Sequence, residues 1–314
     1  MNTALTQSLH RELLRRLGAI AILLAALPLS AEPAAPIPPA PPIVGDDLRI
    51  PDIFTSHLPG TLSSGDLRLS AHPHLGDFRA RDYLRSAIGV RYGLTSQWEA
   101  SVSTEFYFSH GLGDTTFFKH FGLSTLGLGT KYNLEDRPIA GWKTAVGFDF
   151  NTPVSHPPAD LTDGMRHYTP YLVSSRRLVA HPEFRIFWGV GVDLISHTGQ
   201  PGEPGKNQLA DNNTSLSAGA VWDHHSLHYT FEVAWDSTRL IGHTHDDTLI
   251  LRPGVIWEIP WFRSSKSGRV VLLGGALRTT FGPDGTGFGA GAKLRINFDP
   301  KCRDRSKETP PPAP

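Results

Sequence analysis

The stretch Phe288-Gly289-Ala290-Gly291-Ala292-Lys293-Leu294-Arg295-Ile296-Asn297-Phe298 decides the fold class of this chain. Every second position is apolar, and the positions between them hold glycine, lysine, arginine and asparagine. Because successive side chains of a β-strand point to opposite faces, the stretch is predicted to be a strand with one apolar and one polar face. Any half-buried sheet could contain one such strand, so the fold depends on whether the pattern repeats.

The alternation does repeat, over residues 65–298. Apolar residues alternate with charged or small ones in most of the intervening segments, most clearly in 84–92, 98–108, 142–150, 184–194 and 228–236. We count about twelve segments of the roughly 9–11 residues that a membrane-crossing strand needs. Soluble sandwiches and barrels use shorter strands, of about 5–6 residues. The repeat therefore predicts an all-β fold, an antiparallel transmembrane β-barrel of about twelve strands.

The links between these segments alternate in length. Thr95–Gln97 and Val179–Glu183 are short, whereas Ser109–Phe121 and His197–Asn212 are long. Short periplasmic turns and long outer loops are typical of outer-membrane barrels. Tryptophans near the predicted strand ends fit an interfacial aromatic girdle. We expect a barrel in the outer membrane of a Gram-negative bacterium, with outer-membrane lipid and the barrel-assembly machinery as partners.

Composition excludes two other classes of protein. The chain has 314 residues, with 30 Lys+Arg against 30 Asp+Glu, so no basic excess points to nucleic acid. Its mean hydropathy of -0.22 argues against a bundle of membrane helices. A barrel is compatible with this value, because the polar half of each strand cancels the apolar half.

The two ends of the chain differ from the middle. Arg11, Arg15 and Arg16 precede an apolar run and a small-residue cleavage site, so residues 1–31 are predicted to be a signal peptide. Residues 32–64 are predicted to be a Pro/Ala-rich linker and periplasmic lead-in that could act as a plug or lid. Residues 299–314 are predicted to be a disordered, Pro-rich tail holding the lone Cys302.

Charges of both signs fall on the predicted inner face of the barrel. These charges could line a channel that selects small solutes by size and sign. They could also pair with charges on neighbouring strands, which lie on the same face, and so close a narrow barrel. Sequence leaves both open. The predicted lumen-lining charges are Arg85, Arg91, Glu99, Glu105, Lys131, Lys143, Asp149, Arg185, Asp193, Glu232, Arg252, Lys293 and Arg295.

Histidines are frequent in the predicted outer loops, and His243-Thr244-His245-Asp246-Asp247 contains ligand types that suit Zn²⁺ or Cu²⁺. Further ligands at recognisable positions are missing, and such loops are ordinarily solvated surface. We therefore predict no metal and no cofactor.

Lipid-active enzymes also occur among barrels of this size, and they need a serine, a histidine and a third polar group held together. His110, Asp114 and Ser124 could supply these groups, but no nucleophile-elbow motif is present. We predict a non-enzyme, with a lipid-active enzyme and a non-transporting structural or surface barrel as alternatives.

Three motifs follow one another in the first half of the predicted barrel. They are Arg91-Tyr92-Gly93-Leu94-Thr95-Ser96-Gln97-Trp98-Glu99, Gly111-Leu112-Gly113-Asp114 and Gly129-Thr130-Lys131-Tyr132. Together they resemble the outer-membrane barrels grouped as phenol-degradation-pathway transporters. The resemblance implies an outer-membrane transporter or channel. We therefore expect a porin-like channel that passes small solutes through a charged lumen.

Overall fold

The computed structural model describes residues 53–75, 84–108, 121–135, 141–154, 164–197, 211–262, 269–283 and 285–298. The predicted signal peptide, residues 32–52 of the predicted linker and the predicted C-terminal tail lie outside these residues. The chain divides at Asp46, and every described residue belongs to the unit Asp47–Pro314. Within the described residues, no helix is long and apolar enough to span a membrane.

Twelve antiparallel strands form one closed barrel, which confirms the predicted fold class. Each strand pairs with its neighbours in sequence, and the first strand closes the ring on the last. A short 3₁₀ turn, Pro260–Phe262, follows the tenth strand. The strands are β1 (Leu67–Leu75), β2 (Leu84–Gly93), β3 (Trp98–Phe108), β4 (Phe121–Glu135), β5 (Lys143–Pro153), β6 (Arg166–Arg177), β7 (Phe184–Ser196), β8 (Asn213–His224), β9 (Leu227–Ser237), β10 (Asp247–Glu258), β11 (Val270–Gly282) and β12 (Gly285–Phe298).

The closing pair sets the two ends of the barrel. Leu67 of β1 lies opposite Phe298 of β12, and Leu75 lies opposite Ala290. We call the end where β1 begins and β12 finishes the terminal end, and the opposite end the loop end. The short links Thr95–Gln97 and Val179–Glu183 lie at the terminal end, and the long links after β3 and β7 lie at the loop end. Two links differ from this pattern: the long link 259–269 lies at the terminal end, and the short link 283–284 lies at the loop end.

The two faces of the wall differ sharply in exposure. On β3, Val102 is 51% exposed whereas Glu99 is 2% exposed. The same contrast holds on β12, where Phe288 and Leu294 are exposed and Arg295 is buried. Large apolar side chains facing outward and charges facing inward are the arrangement of a barrel that crosses a bilayer.

Aromatic side chains cluster at the terminal end. Trp222 stacks on Phe184 with ring centroids 5.7 Å apart, and Tyr229 lies 5.3 Å away on its other neighbouring strand. Trp257 and Trp261 meet edge to face at 5.0 Å. Aromatic rings in such positions anchor a barrel at the level of the lipid headgroups.

Candidate functional site in the barrel lumen

Residues 53–64, here called the inner segment, lie inside the barrel. The backbone N–H of Phe54 donates to Glu232 of β9, and the N–H of Leu62 donates to Glu99 of β3. β3 and β9 stand on opposite sides of the twelve-stranded ring. Since both carboxylates face inward, a segment that reaches both must cross the lumen.

Glu232 is the main anchor of the inner segment. Its carboxylate accepts hydrogen bonds from the backbone N–H of Phe54 at 2.7 Å, Thr55 at 3.3 Å and Ser56 at 3.2 Å. It also accepts the Thr55 hydroxyl at 2.9 Å and the Ser56 hydroxyl at 3.1 Å. Arg252 Nη1 lies 3.5 Å from Glu232 and donates to the Thr55 hydroxyl as well. A carboxylate that is only 1% exposed needs such partners, because an unpaired buried charge is costly.

Two cations of β12 bind the start of the inner segment. Lys293 Nζ and Arg295 Nη2 each donate to the carbonyl oxygen of Ile53 at 2.6 Å. Both side chains are buried. The charged face that the closing strand predicts is therefore occupied by backbone of the same chain.

A charged cluster binds the middle of the inner segment. Lys131 Nζ donates to the carbonyl oxygen of Leu58 at 3.0 Å and lies 3.1 Å from Glu99. Arg91 pairs with the same oxygen of Glu99, Oε1, at 3.1 Å, and the other oxygen, Oε2, accepts the Leu62 N–H at 2.9 Å. Without the inner segment, Glu99 Oε2 would lose the Leu62 N–H and Lys131 would lose the Leu58 carbonyl oxygen.

An apolar core also holds the inner segment. Ile53, Phe54 and Leu58 are almost fully buried against inward-facing apolar side chains of the wall. Burial of side chains of this size contributes about 1.5–3 kcal/mol each. The wall residues of this core are Phe187, Val221, Ile256, Leu272 and Ala276.

His57 ties the inner segment to the wall at a third place. Its Nε2 lies 3.1 Å from Asp149 Oδ2 on β5, and its ring stacks on Tyr171 of β6 with centroids 4.3 Å apart and planes 3° apart. Nothing in the alternation of the sequence marks His57, because it lies before the first strand.

A cavity of about 270 Å³ lies beside residues 55–57 in the lumen. Strands β5 to β10 form its wall, and Thr55, Ser56 and His57 form its floor. Three carboxylate or guanidinium groups line it, those of Asp149, Asp236 and Arg252. The lumen thus combines a region occupied by the inner segment with an open cavity next to it, which these three charged side chains line.

The thirteen predicted lumen charges take different positions in this structure. Glu99, Lys131, Asp149, Glu232, Arg252, Lys293 and Arg295 contact the inner segment directly. Arg91 acts through Glu99, Asp193 bonds His167 at 2.7 Å, and Glu105 accepts the Ser124 hydroxyl at 3.1 Å. Arg185 is buried, Arg85 is half-buried, and Lys143 is exposed at the terminal end.

Sequence reasoning missed several inward-facing residues. Arg68 is buried, and its Nε donates to Asn297 across the β1–β12 seam at 2.5 Å. Phe187 and Leu272 point inward although they are apolar, because the inner segment offers them an apolar partner. The position of Arg68 between Leu67 and Leu69 is a usable signal, whereas the inward apolar residues break the alternation.

The residues considered for metal or lipid chemistry are not assembled into a centre in the described part of the chain. No group of three or more His, Cys, Asp or Glu side chains there is arranged to hold a metal ion. His243 and His245 are exposed. Ser124 is buried with its hydroxyl donated to Glu105, and His110 and Asp114 lie outside the described residues.

Comparisons with known proteins show a shared fold but assign the chain to no family. No family model matches the chain, and no curated protein matches it. An outer membrane channel from Pseudomonas putida F1 is similar over 76% of this chain and 97% of that one, with 12% identity and a TM-score of 0.51. At that identity the likeness shows a shared barrel fold.

Two further solved structures align at lower scores. The KdgM porin in complex with disordered oligogalacturonate covers 74% of this chain and 98% of its own, at 7% identity and a TM-score of 0.44. Outer membrane phospholipase A from Escherichia coli covers 75% and 92%, at 11% identity and a TM-score of 0.40. Neither likeness distinguishes a channel from an enzyme.

Proposed function

We propose that this protein is a passive outer-membrane channel for small hydrophilic solutes. The observation that carries the proposal is a closed twelve-stranded barrel with an apolar outer face and, inside its lumen, a cavity lined by the charged side chains of Asp149, Asp236 and Arg252. An apolar outer face requires lipid, and a polar lumen offers water-soluble molecules a route through it.

The inner segment makes this channel narrow. It crosses the lumen and takes up charges that would otherwise face water. A barrel of twelve strands lies between filled eight-stranded and open 16–18-stranded barrels, so one crossing segment removes much of the free cross-section. The proposed channel therefore passes small solutes and excludes large ones, unless the inner segment moves.

In the proposed orientation, the terminal end faces the periplasm and the loop end faces the outside. Short turns on the periplasmic side are the rule for such barrels. The motifs within residues 85–154 support a narrower proposal, that the channel belongs with the phenol-degradation-pathway transporters. On this proposal the thirteen predicted charges tune the lumen largely by fixing the inner segment.

Efflux from proteoliposomes tests the proposal. Vesicles holding purified full-length protein are loaded with a labelled monosaccharide and a labelled dextran of several kilodaltons. A channel of the proposed size releases the monosaccharide and retains the dextran. Retention of both solutes at the level of protein-free vesicles would count against a channel, and hydrolysis of the vesicle lipid would favour the enzyme alternative.

A further inference from the structure

The cavity beside the inner segment contains one carboxylate that the rest of the fold does not use. Asp236 lies near the loop end of β9 and lines the cavity. Its carboxylate makes no hydrogen bond or ion pair with any residue that the structure describes. Arg252 and Arg278 on β10 and β11 act on it only through Coulombic attraction, and Asp193 repels it.

Two nitrogen atoms at the cavity are already engaged, whereas His57 Nδ1 is buried without a hydrogen-bond partner among the described residues. His57 Nε2 pairs with Asp149, and Arg252 Nη1 bonds Glu232 and Thr55. The hydroxyls of Ser215 and Ser217 add oxygen acceptors to the wall. A molecule with hydrogen-bond donors and a positive charge would complement these oxygens and the Asp236 carboxylate, because a carboxylate withdrawn from bulk water is stabilised by a cationic partner.

Two glycines keep the site open. Gly191 lies opposite Ser215 and Gly189 lies opposite Ser217 in the β7–β8 pairing. A Cβ on either glycine would come within 2.8 Å of the serine Oγ opposite, and both glycines line the cavity, so a side chain there would displace the serine hydroxyl or take up cavity space. At about 270 Å³ the cavity is slightly smaller than the roughly 300–1,000 Å³ typical of small-molecule sites, so it suits a small solute.

From these observations we infer that the cavity is a binding site for a small, ammonium-bearing solute, with Asp236 as the group that holds its positive charge. The site rests on the proposed function, because a solute reaches it through the lumen. The inference also implies that the proposed channel favours small, ammonium-bearing solutes. Residues 55–57 form the floor, so a bound solute sits directly against the inner segment.

Calorimetry on the full-length protein in non-ionic detergent tests the site, with ethanolammonium chloride as the probe. Ethylene glycol is the matched control ligand, because it has the same size and lacks the charge. Asp236→Asn removes the negative charge that is proposed to hold the ammonium group. Asp246→Asn makes the same change at an exposed residue of the β9–β10 turn.

We expect saturable binding of ethanolammonium to the wild type and to Asp246→Asn, binding at least tenfold weaker to Asp236→Asn, and no binding of glycol. Equal binding to Asp236→Asn, equal binding of glycol, or no binding to the wild type would overturn the inference. If Asp236→Asn does not fold, the comparison of the two ligands on the wild type decides whether the site binds the charge.

Potassium conductance of the same preparation separates the proposals: a conducting barrel that binds no ethanolammonium overturns the site alone, and a binding barrel that does not conduct overturns the channel alone.

Discussion

The backbone N–H of Phe54 donates to Glu232 at 2.7 Å, and 178 positions of sequence separate the two residues. This bond joins the segment before the first strand to the ninth strand, on the far side of the ring from β3. The lumen charges of this barrel therefore hold a piece of its own chain inside the lumen, and the free cross-section of the lumen depends on how firmly they hold it.

Weakening the hydrogen bonds between Glu232 and the inner segment should expose that segment to solvent. Ser56 is 6% exposed and donates to Glu232, so a thiol placed there by Ser56→Cys in a Cys302→Ser background should react slowly. We expect Glu232→Gln to raise its rate of modification by a water-soluble thiol reagent at least tenfold. The matched control is Glu105→Gln, an inward carboxylate that bonds Ser124. Equal rates in both backgrounds would mean that Glu232 does not hold the segment.

The Glu99–Lys131 pair should carry much of the stability of the barrel. The two side chains are 2% and 1% exposed and lie 3.1 Å apart. Removing one partner of a buried pair costs about 3–5 kcal/mol, so Glu99→Gln should lower the free energy of unfolding in urea by this order. Glu183→Gln removes the exposed partner of His181 and should cost under about 1 kcal/mol. A similar loss in both variants would contradict the assignment.

Gly93 should tolerate no side chain. A Cβ there would overlap the carbonyl group of Ser63, whereas a Cβ on Gly275 would meet nothing within 4 Å. Gly93→Ala must therefore displace the end of the inner segment, at a cost of about 1–3 kcal/mol, and Gly275→Ala should be nearly neutral. Urea unfolding of the two variants measures the difference, and equal midpoints would show that the contact is not a constraint.

The sequence predicts the wall of the barrel but not the contacts inside its lumen. The alternation of Lys293 and Arg295 with Leu294 predicts the strand, its two faces and, repeated, the barrel. It does not predict that both cations bind the carbonyl of Ile53, because Ile53 lies 240 and 242 positions away and carries no periodic signal. Phe187 interrupts the pattern of β7 for the same reason, since its apolar partners come from the inner segment.

The loop-end contact between Asp211 and His243 should be lost in acid. The backbone N–H of His243 donates to Asp211 Oδ1 at 2.7 Å, and this bond lowers the pKa of the Asp211 carboxyl. A lowered pKa means that the contact contributes above the ordinary aspartate pKa, near about 3.9, and is lost as pH falls through the lower folded value. The carboxyl ¹³C chemical shift of Asp211 should therefore stay nearly constant above about pH 4 and change mainly below it. A transition centred above pH 4 would contradict the assignment.

The single-channel conductance of Glu232→Gln relative to wild type tests the central claim most directly. If the inner segment narrows a conducting lumen, wild-type protein in planar bilayers shows small steps, and Glu232→Gln shows steps or an open fraction several times larger. Glu105→Gln should match the wild type. Equal conductance in Glu232→Gln and wild type, or no steps in any of the three proteins, would contradict the claim.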